Sequence, residues 1–275
     1  MAALVALALG LRAGSAVAEP VYTFGVEPQF EARRLAAIWQ PILSELEHRT
    51  GHRFRLVGTP HVPAFETAYA RGDFDFAYMN PYHALVAGEA DGTRAIIHDG
   101  GQQMSGVLVV KADSPYHAVG DLEGQTIAFP APNDLGAALL MRADLDRIFS
   151  LHYDSSYVAT HSSAYYNVLL GDAAAAGGVM ATLTAHDELV RQNLRVIYET
   201  RGLPPHPVSV HPRVPDPVSQ AVQAAFVSMA QTEEGAAMLA RVPLVKAAKA
   251  NQEQYQALRS LNLEGYLVTL PKTGG

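Results

Sequence analysis

The sequence predicts an α/β protein of two lobes, each a central, mostly parallel sheet flanked by helices, the two joined by a pair of hinge strands. Three observations carry that expectation. The chain opens strand–helix–strand, the signature of a parallel βαβ unit. A short helix, a Gly-Asp turn and a strand ending in Met occur twice, in AFETAYARGDFDFAYM (Ala64 to Met79) and in AYYNVLLGDAAAAGGVM (Ala164 to Met180). A stretch with six prolines, GLPPHPVSVHPRVPDP (Gly202 to Pro217), then reads as an extended crossover that returns the chain to its first half.

In the first half, VYTFGV (Val21 to Val26) alternates and reads as a strand. Glu31 to Thr50 reads as a helix, with Leu35, Ile38, Trp39, Ile42, Leu43 and Leu46 at helical spacing and Gly51 at its end. Pro41 is expected to kink it. FRLV (Phe54 to Val57) is a strand, Ala64 to Ala70 a short helix, and Phe74 to Met79 the next strand. Pro81 takes a favoured first helical position for a helix to about Gly88. Ala95 to His98 and GVLVVK (Gly106 to Lys111) follow as strands.

The pattern then starts again. TIAF (Thr126 to Phe129) is a strand, a helix runs from Asn133 to about Phe149, and Ser156 to Ala159 is a short strand. Ser162 to Leu170 is a helix, Gly177 to Met180 and Leu194 to Tyr198 are strands. Helices at Val218 to Ala230, Thr232 to Leu239 and Gln252 to Leu261 close the chain. The crossings Ser105 to Val110 and Pro207 to His211 read as the hinge. This divides the chain into 1–18 as an export signal, 19–106 with 208–275 as the first lobe, and 107–207 as the second.

Composition narrows the function. Of 275 residues, 49% are hydrophobic, ample for a sizeable core. A net charge of −7 disfavours nucleic acid or an anionic membrane as partner. No cysteine is present, which excludes disulfides, Cys-ligated zinc and thiol catalysis. The N-terminus carries an apolar run, Ala2 to Leu9, then Ala16-Val17-Ala18, an A-x-A cleavage signal, so export with cleavage after Ala18 is expected. No basic residue precedes the apolar run, and Arg12 lies on its far side, as a mis-assigned start codon would produce.

Ligands of open α/β sheets bind at the carboxyl ends of strands. In FDFAYMNPYHAL the strand stops at Asn80-Pro81, between Tyr78 and Tyr82. Asn80 offers amide donors and Tyr82 a hydroxyl and an aromatic wall, whereas alternation assigns Tyr78 to the core. In AFPAPNDLGAALL a strand, a Pro-rich turn and a helix start leave free N–H groups at Asn133, Asp134 and Leu135, a natural oxyanion seat. Asn133 could instead be the cap alone, and Asp134 a first-turn acid satisfied by the helix dipole. An Asp134 that points inward would suit a ligand with a cationic group. In the turn GVEPQFEARR, Glu27 would suit an amine, or is a solvated acid before a helix. His161 precedes a helix capped by Ser162 or Ser163.

The segments GDFDFAYMNPYHAL (Gly72 to Leu85), GVLVVKADSPYHAVGDLEGQTIAFPAPNDLGAALLMRADL (Gly106 to Leu145), HSSAYYNVLLGDAAAAGGV (His161 to Val179), LPPHPVSVHP and TEEGAAML together give the chain a family resemblance. It resembles the periplasmic substrate-binding proteins of phosphonate-, phosphite- and phosphate-type ABC importers, which have the type II periplasmic binding fold. The resemblance implies a cleft that closes on a small oxyanion, no catalysis, no cofactor, a monomer, and delivery to a membrane permease. It also implies that His161, with Ser162 beside it, meets the oxyanion and that an aromatic stands at the turn holding Tyr82. The family's turn is rich in Ser and Thr where this chain has Pro-Asn-Asp-Leu-Gly, a departure that leaves the ligand open.

Two other readings keep the same fold. One is a ligand-presenting partner of a membrane sensor kinase, or a binder of an amine-bearing ligand. The other is a pyridoxal-phosphate enzyme, which needs a cleft lysine; Lys111, Lys246, Lys249 and Lys272 are the only lysines, and none lies in a strand-end turn. Eleven histidines invite a metal, but no pair has HxxxH spacing on a clear helix. GxSxG, P-loop and HExxH motifs are absent from the sequence.

Overall fold

The computed structural model describes residues 20–268. The export signal expected over Met1 to Ala18 lies outside the described residues. In chain order the elements are β1 (Val21–Val26), α1 (Ala32–Thr50), β2 (Arg53–Val57), α2 (Val62–Ala70), β3 (Phe76–Tyr78), α3 (Pro81–Ala90) and β4 (Arg94–Asp99). After a crossing come β5 (Gly106–Lys111), β6 (Thr126–Phe129), a π turn (Leu135–Leu139) running into α4 (Leu140–Arg147), β7 (Asp154–Tyr157), α5 (His161–Leu170) and β8 (Ala175–Val179). Two short helices, α6 (Met180–Ala185) and α7 (Glu188–Asn193), precede β9 (Leu194–Glu199). The chain then crosses back to β10 (Val208–Val210), α8 (Asp216–Met229), α9 (Glu233–Leu239), β11 (Ala247–Lys249) and α10 (Gln252–Gln256).

The strands form two sheets, ordered β11-β4-β10-β3-β1-β2 and β7-β6-β8-β5-β9. The repeat read from the sequence is topological as well. In each sheet a parallel trio, β2-β1-β3 or β7-β6-β8, is flanked by an antiparallel strand arriving from the other half. That strand is β10 beside β3 and β5 beside β8. Both sheets are therefore mixed rather than mostly parallel. The crossings lie earlier than the sequence suggested: β5 and β10 belong wholly to the sheets, and the connections are residues 100–105 and 200–207. The two connections are tied together by Met104 N–H to Leu203 O (2.9 Å) and Leu203 N–H to Met104 O (2.8 Å).

The helices form where the pattern places them. All six apolar positions of α1 are buried, and Gly51 closes it with φ 72°. The helix runs on through Pro41. Its Trp39 ring packs 5.2 Å from Phe24 and 5.1 Å from Tyr78, in a core completed by Phe76 and Phe226. Each such side chain contributes about 1.5–3 kcal/mol by burial. In the second sheet β5 is buried on both faces: Val107 and Val109 meet Ala128, Tyr165 and Val168, while Leu108 and Val110 meet Ile127, Phe129 and Met141.

A third apolar cluster lies between the sheets and joins Tyr82 and Leu85 to Leu135, Leu139, Leu140, Tyr255 and Leu258. The C-terminal stretch, assigned by sequence to the first lobe alone, also reaches the second. The Arg147 guanidinium donates to Leu261 O (3.0 Å) and Asn262 O (2.6 Å).

The π turn sits directly on the second sheet. A Cβ on Gly177 would stand 2.0 Å from Ala137 O, and one on Gly106 would stand 2.1 Å from Gly136 O. Only glycine permits that approach, which fixes Asp134 at the carboxyl end of β6.

Candidate functional site

The carboxyl ends of the parallel strands in both sheets converge on one buried polar seam. From the first sheet come Glu27 and Gln29 after β1, Asn80 after β3, and His83 on α3. From the second come Asp134 after β6, His161 at the start of α5, and Thr182 on α6. His206 arrives on the returning crossing. Glu27, Asn80, Asp134 and His161 are each 0% exposed, so none can draw on bulk water for hydrogen bonds.

Asp134 is the centre. Its Oδ1 accepts from Ala137 N–H (3.2 Å), so Asp134 and not Asn133 caps the π turn. The same oxygen accepts from Asn80 Nδ2 of the first sheet (3.2 Å), and Oδ2 accepts from His161 Nε2 (2.8 Å). Burial alone would raise this carboxyl, but the His161 imidazolium more than offsets burial and holds it below the usual carboxylate range. For His161 burial likewise opposes protonation, and the Asp134 charge overcomes it and raises the imidazole. Behind His161, Thr182 Oγ1 lies 3.4 Å from Nδ1, and Tyr165 holds that threonine at 3.0 Å.

Glu27 stands apart. Its Oε1 is 3.5 Å from His83 Nδ1 and its Oε2 3.5 Å from His206 Nε2, and neither oxygen receives a hydrogen bond. His83 is held on its other side by Glu66 (2.8 Å). Burial works against charge on His83, yet the Glu66 hydrogen bond, with the Glu66 and Glu27 charges, raises it to about 9. His206 pairs with Gln29 Nε2 at 3.0 Å. The Tyr78 hydroxyl is buried with no partner, and burial, with the Glu27 charge, pushes it well above its ordinary value. A cavity of about 40 Å³ adjoins the seam, lined in part by Gln29, Asp99, Gln103 and His206.

The expected site residues separate into two groups. Glu27, Asn80, Asp134, His161 and Ser162 lie on or beside the seam; Ser162 bonds His186 Nε2 at 3.1 Å, while Thr160 rather than a serine caps α5. Three others lie elsewhere. Tyr82 and Leu135 belong to the apolar cluster between the sheets, because the helix positions after Asn80 and Asp134 turn toward that core. The Asn133 amide is engaged with the backbone of Val268, at 3.0 Å in both directions. Sequence reasoning missed Gln29, His83, Thr182 and His206. His83 and His206 follow or flank prolines, and only the fold brings residues so far apart to one carboxylate.

The set can hold a small polar solute by hydrogen bonds and charge. Among the described residues, no group of three or more His, Asp and Glu side chains has the geometry of a metal site. No helix among them is long and apolar enough to cross a membrane.

Known proteins share this architecture. The profile of the family described as "ABC transporter, phosphonate, periplasmic substrate-binding protein" matches residues 24–255. A binding protein component of an ABC phosphonate transporter from Pseudomonas aeruginosa superposes with a TM-score of 0.78 at 17% identity, over 89% of this chain and 86% of that one. PhnD1 from Prochlorococcus marinus, in complex with methylphosphonate, gives a TM-score of 0.81 at 12% identity over 88% and 97%. A Xanthomonas citri protein bound to ATP gives 0.66 at 15% identity over 88% and 95%. These identities show the fold. No curated protein matches the chain in sequence.

Proposed function

The chain belongs to the family of phosphonate-type periplasmic substrate-binding proteins of ABC transporters, and from that premise we propose that it captures one small solute at the seam between its two sheets and hands it to a membrane permease. The observation that carries this reading is the seam itself. Polar side chains from both halves meet there with no bulk water, and the halves are connected by only two crossings tied at Met104 and Leu203. Separation about those crossings opens the seam and closure buries a solute in it. In this reading residues 19–106 with 208–275 and residues 107–207 move as two lobes, with the C-terminal stretch as a strap between them.

The phosphonate-like oxyanion that the resemblance implies finds suitable donors in His161, Asn80 and the turn at Asp134. Those donors already hold the Asp134 carboxylate, so an oxyanion would have to displace it.

Photo-crosslinking from either lobe face in intact cells tests the transport role. Capture of an ABC permease supports it. Capture of a sensor kinase with no permease would replace it with a signalling role.

A further inference from the structure

The seam is arranged for a different charge from the one its fold suggests, and this inference rests on the solute-capture reading above. Two helix starts, at Asn80 and Asp134, face one another with His161 beside them. That is an anion seat by geometry. The chain fills it with its own carboxylate: Asp134 takes Ala137 N–H, Asn80 Nδ2 and His161 Nε2. Next to this neutralised seat lies an unsatisfied acceptor. Glu27 is 0% exposed, and both of its oxygens lack a donor. No lysine or arginine contacts either carboxyl; their neighbours are Asn80, His83, His161 and His206.

A buried carboxyl with no donor is costly whether or not it is ionised, because either form lacks partners that water would supply. A bound group that brings N–H donors removes that cost; a bound oxyanion brings only acceptors and adds like charge beside Glu27 and Asp134. We infer that the captured solute carries a cationic nitrogen bearing N–H, and that Glu27 receives it, with the side-chain oxygens of Gln29 and Tyr78 within the same wall. The adjoining cavity of about 40 Å³ restricts the group at this point to a few heavy atoms. A small alkylammonium fits that description.

Isothermal titration of the full mature chain with two probe sets tests this. One set is ammonium, methylammonium and ethanolammonium; the other is phosphate, methylphosphonate and sulfate. The expected result is binding from the ammonium set alone, weakened by about tenfold or more in Glu27→Gln. Glu27→Asp, which keeps the charge and shortens the reach, weakens binding while keeping the preference, and remains informative if Glu27→Gln fails to fold. Binding of an oxyanion probe that Glu27→Gln leaves intact overturns the inference, as does no heat from any ammonium probe at millimolar concentration. Neither result touches the transport role, which the crosslinking experiment decides separately. An ammonium probe that binds a chain with no permease partner would sink the transport role and leave the inference standing.

Discussion

Asn80 Nδ2 donates to Asp134 Oδ1 across 3.2 Å, and through this bond the caps of two helical segments, one from each sheet, are joined. Asn80 Oδ1 accepts Tyr82 N–H at 2.9 Å to start α3, and Asp134 accepts Ala137 N–H to start the π turn. The pair therefore couples two local structures to the closure of the seam. Asn80→Ala should cost about 1–2 kcal/mol, the worth of a cap and one neutral hydrogen bond. Asp134→Ala should cost more, about 3 kcal/mol, because it also strands the His161 imidazolium. Urea unfolding of both variants checks the order; equal losses would mean that the His161–Asp134 pair contributes nothing.

The self-filled seat has a second consequence. Asp134→Ala empties the place among Asn80, His161 and the turn without removing a donor. This variant should gain stability from methylphosphonate or phosphate where the parent does not, read as a thermal shift that grows with anion concentration. An unchanged melting temperature at every concentration would contradict the view of Asp134 as an internal anion.

Stability should peak near neutral pH, falling on either side for separate reasons. His83, raised to about 9 by Glu66 against the effect of burial, holds a proton that the unfolded chain loses from about pH 6.5. Its contribution is full below about 6.5 and is lost as pH rises through about 9, a change on the order of 3 kcal/mol. His186 is lowered to about 4, first by burial and then by Arg34. The unfolded chain takes up that proton from about 6.5 downward and the folded chain resists it, so stability falls as pH drops toward 4. Urea midpoints measured from pH 4 to 9 check both limbs, and His83→Gln should flatten the alkaline one.

Backbone contact under the site gives a packing test. A methyl at Gly177 meets Ala137 O at 2.0 Å and the Phe129 ring at 2.6 Å. Gly177→Ala should destabilise by about 3 kcal/mol or shift the π turn. Gly120→Ala, where a Cβ meets nothing within 4 Å, is the control and should stay within about 0.5 kcal/mol.

Much of this was legible in the sequence, and the losses have physical causes. Helical spacing located α1, and the Gly-Asp-ended helices α2 and α5 with their following strands revealed a repeat that the sheet orders reproduce. Strand pairing was not readable, because β5 and β10 are antiparallel only through crossings whose direction no local pattern records. At the site, proximity to a strand's end located Glu27, Asn80, Asp134 and His161. Orientation was the harder step: Tyr82 looked like a polar handle but turns into the apolar cluster, and Asn133 looked like a cap but holds Val268. His83 and His206 escaped because their role exists only around Glu27.

The account's central claim is that the seam, and no surface pocket, takes the solute. The competing cavity lies on the outer side of the first half, among Leu85, Arg94, Gln252 and Arg259. Hydrogen-exchange protection, measured with and without the probe that gives the largest titration signal, separates the two. The account predicts slowed exchange at residues 26–30, 80–84 and 134–139 together, from both sheets at once. Protection confined to residues 85–94 and 252–259 would contradict it.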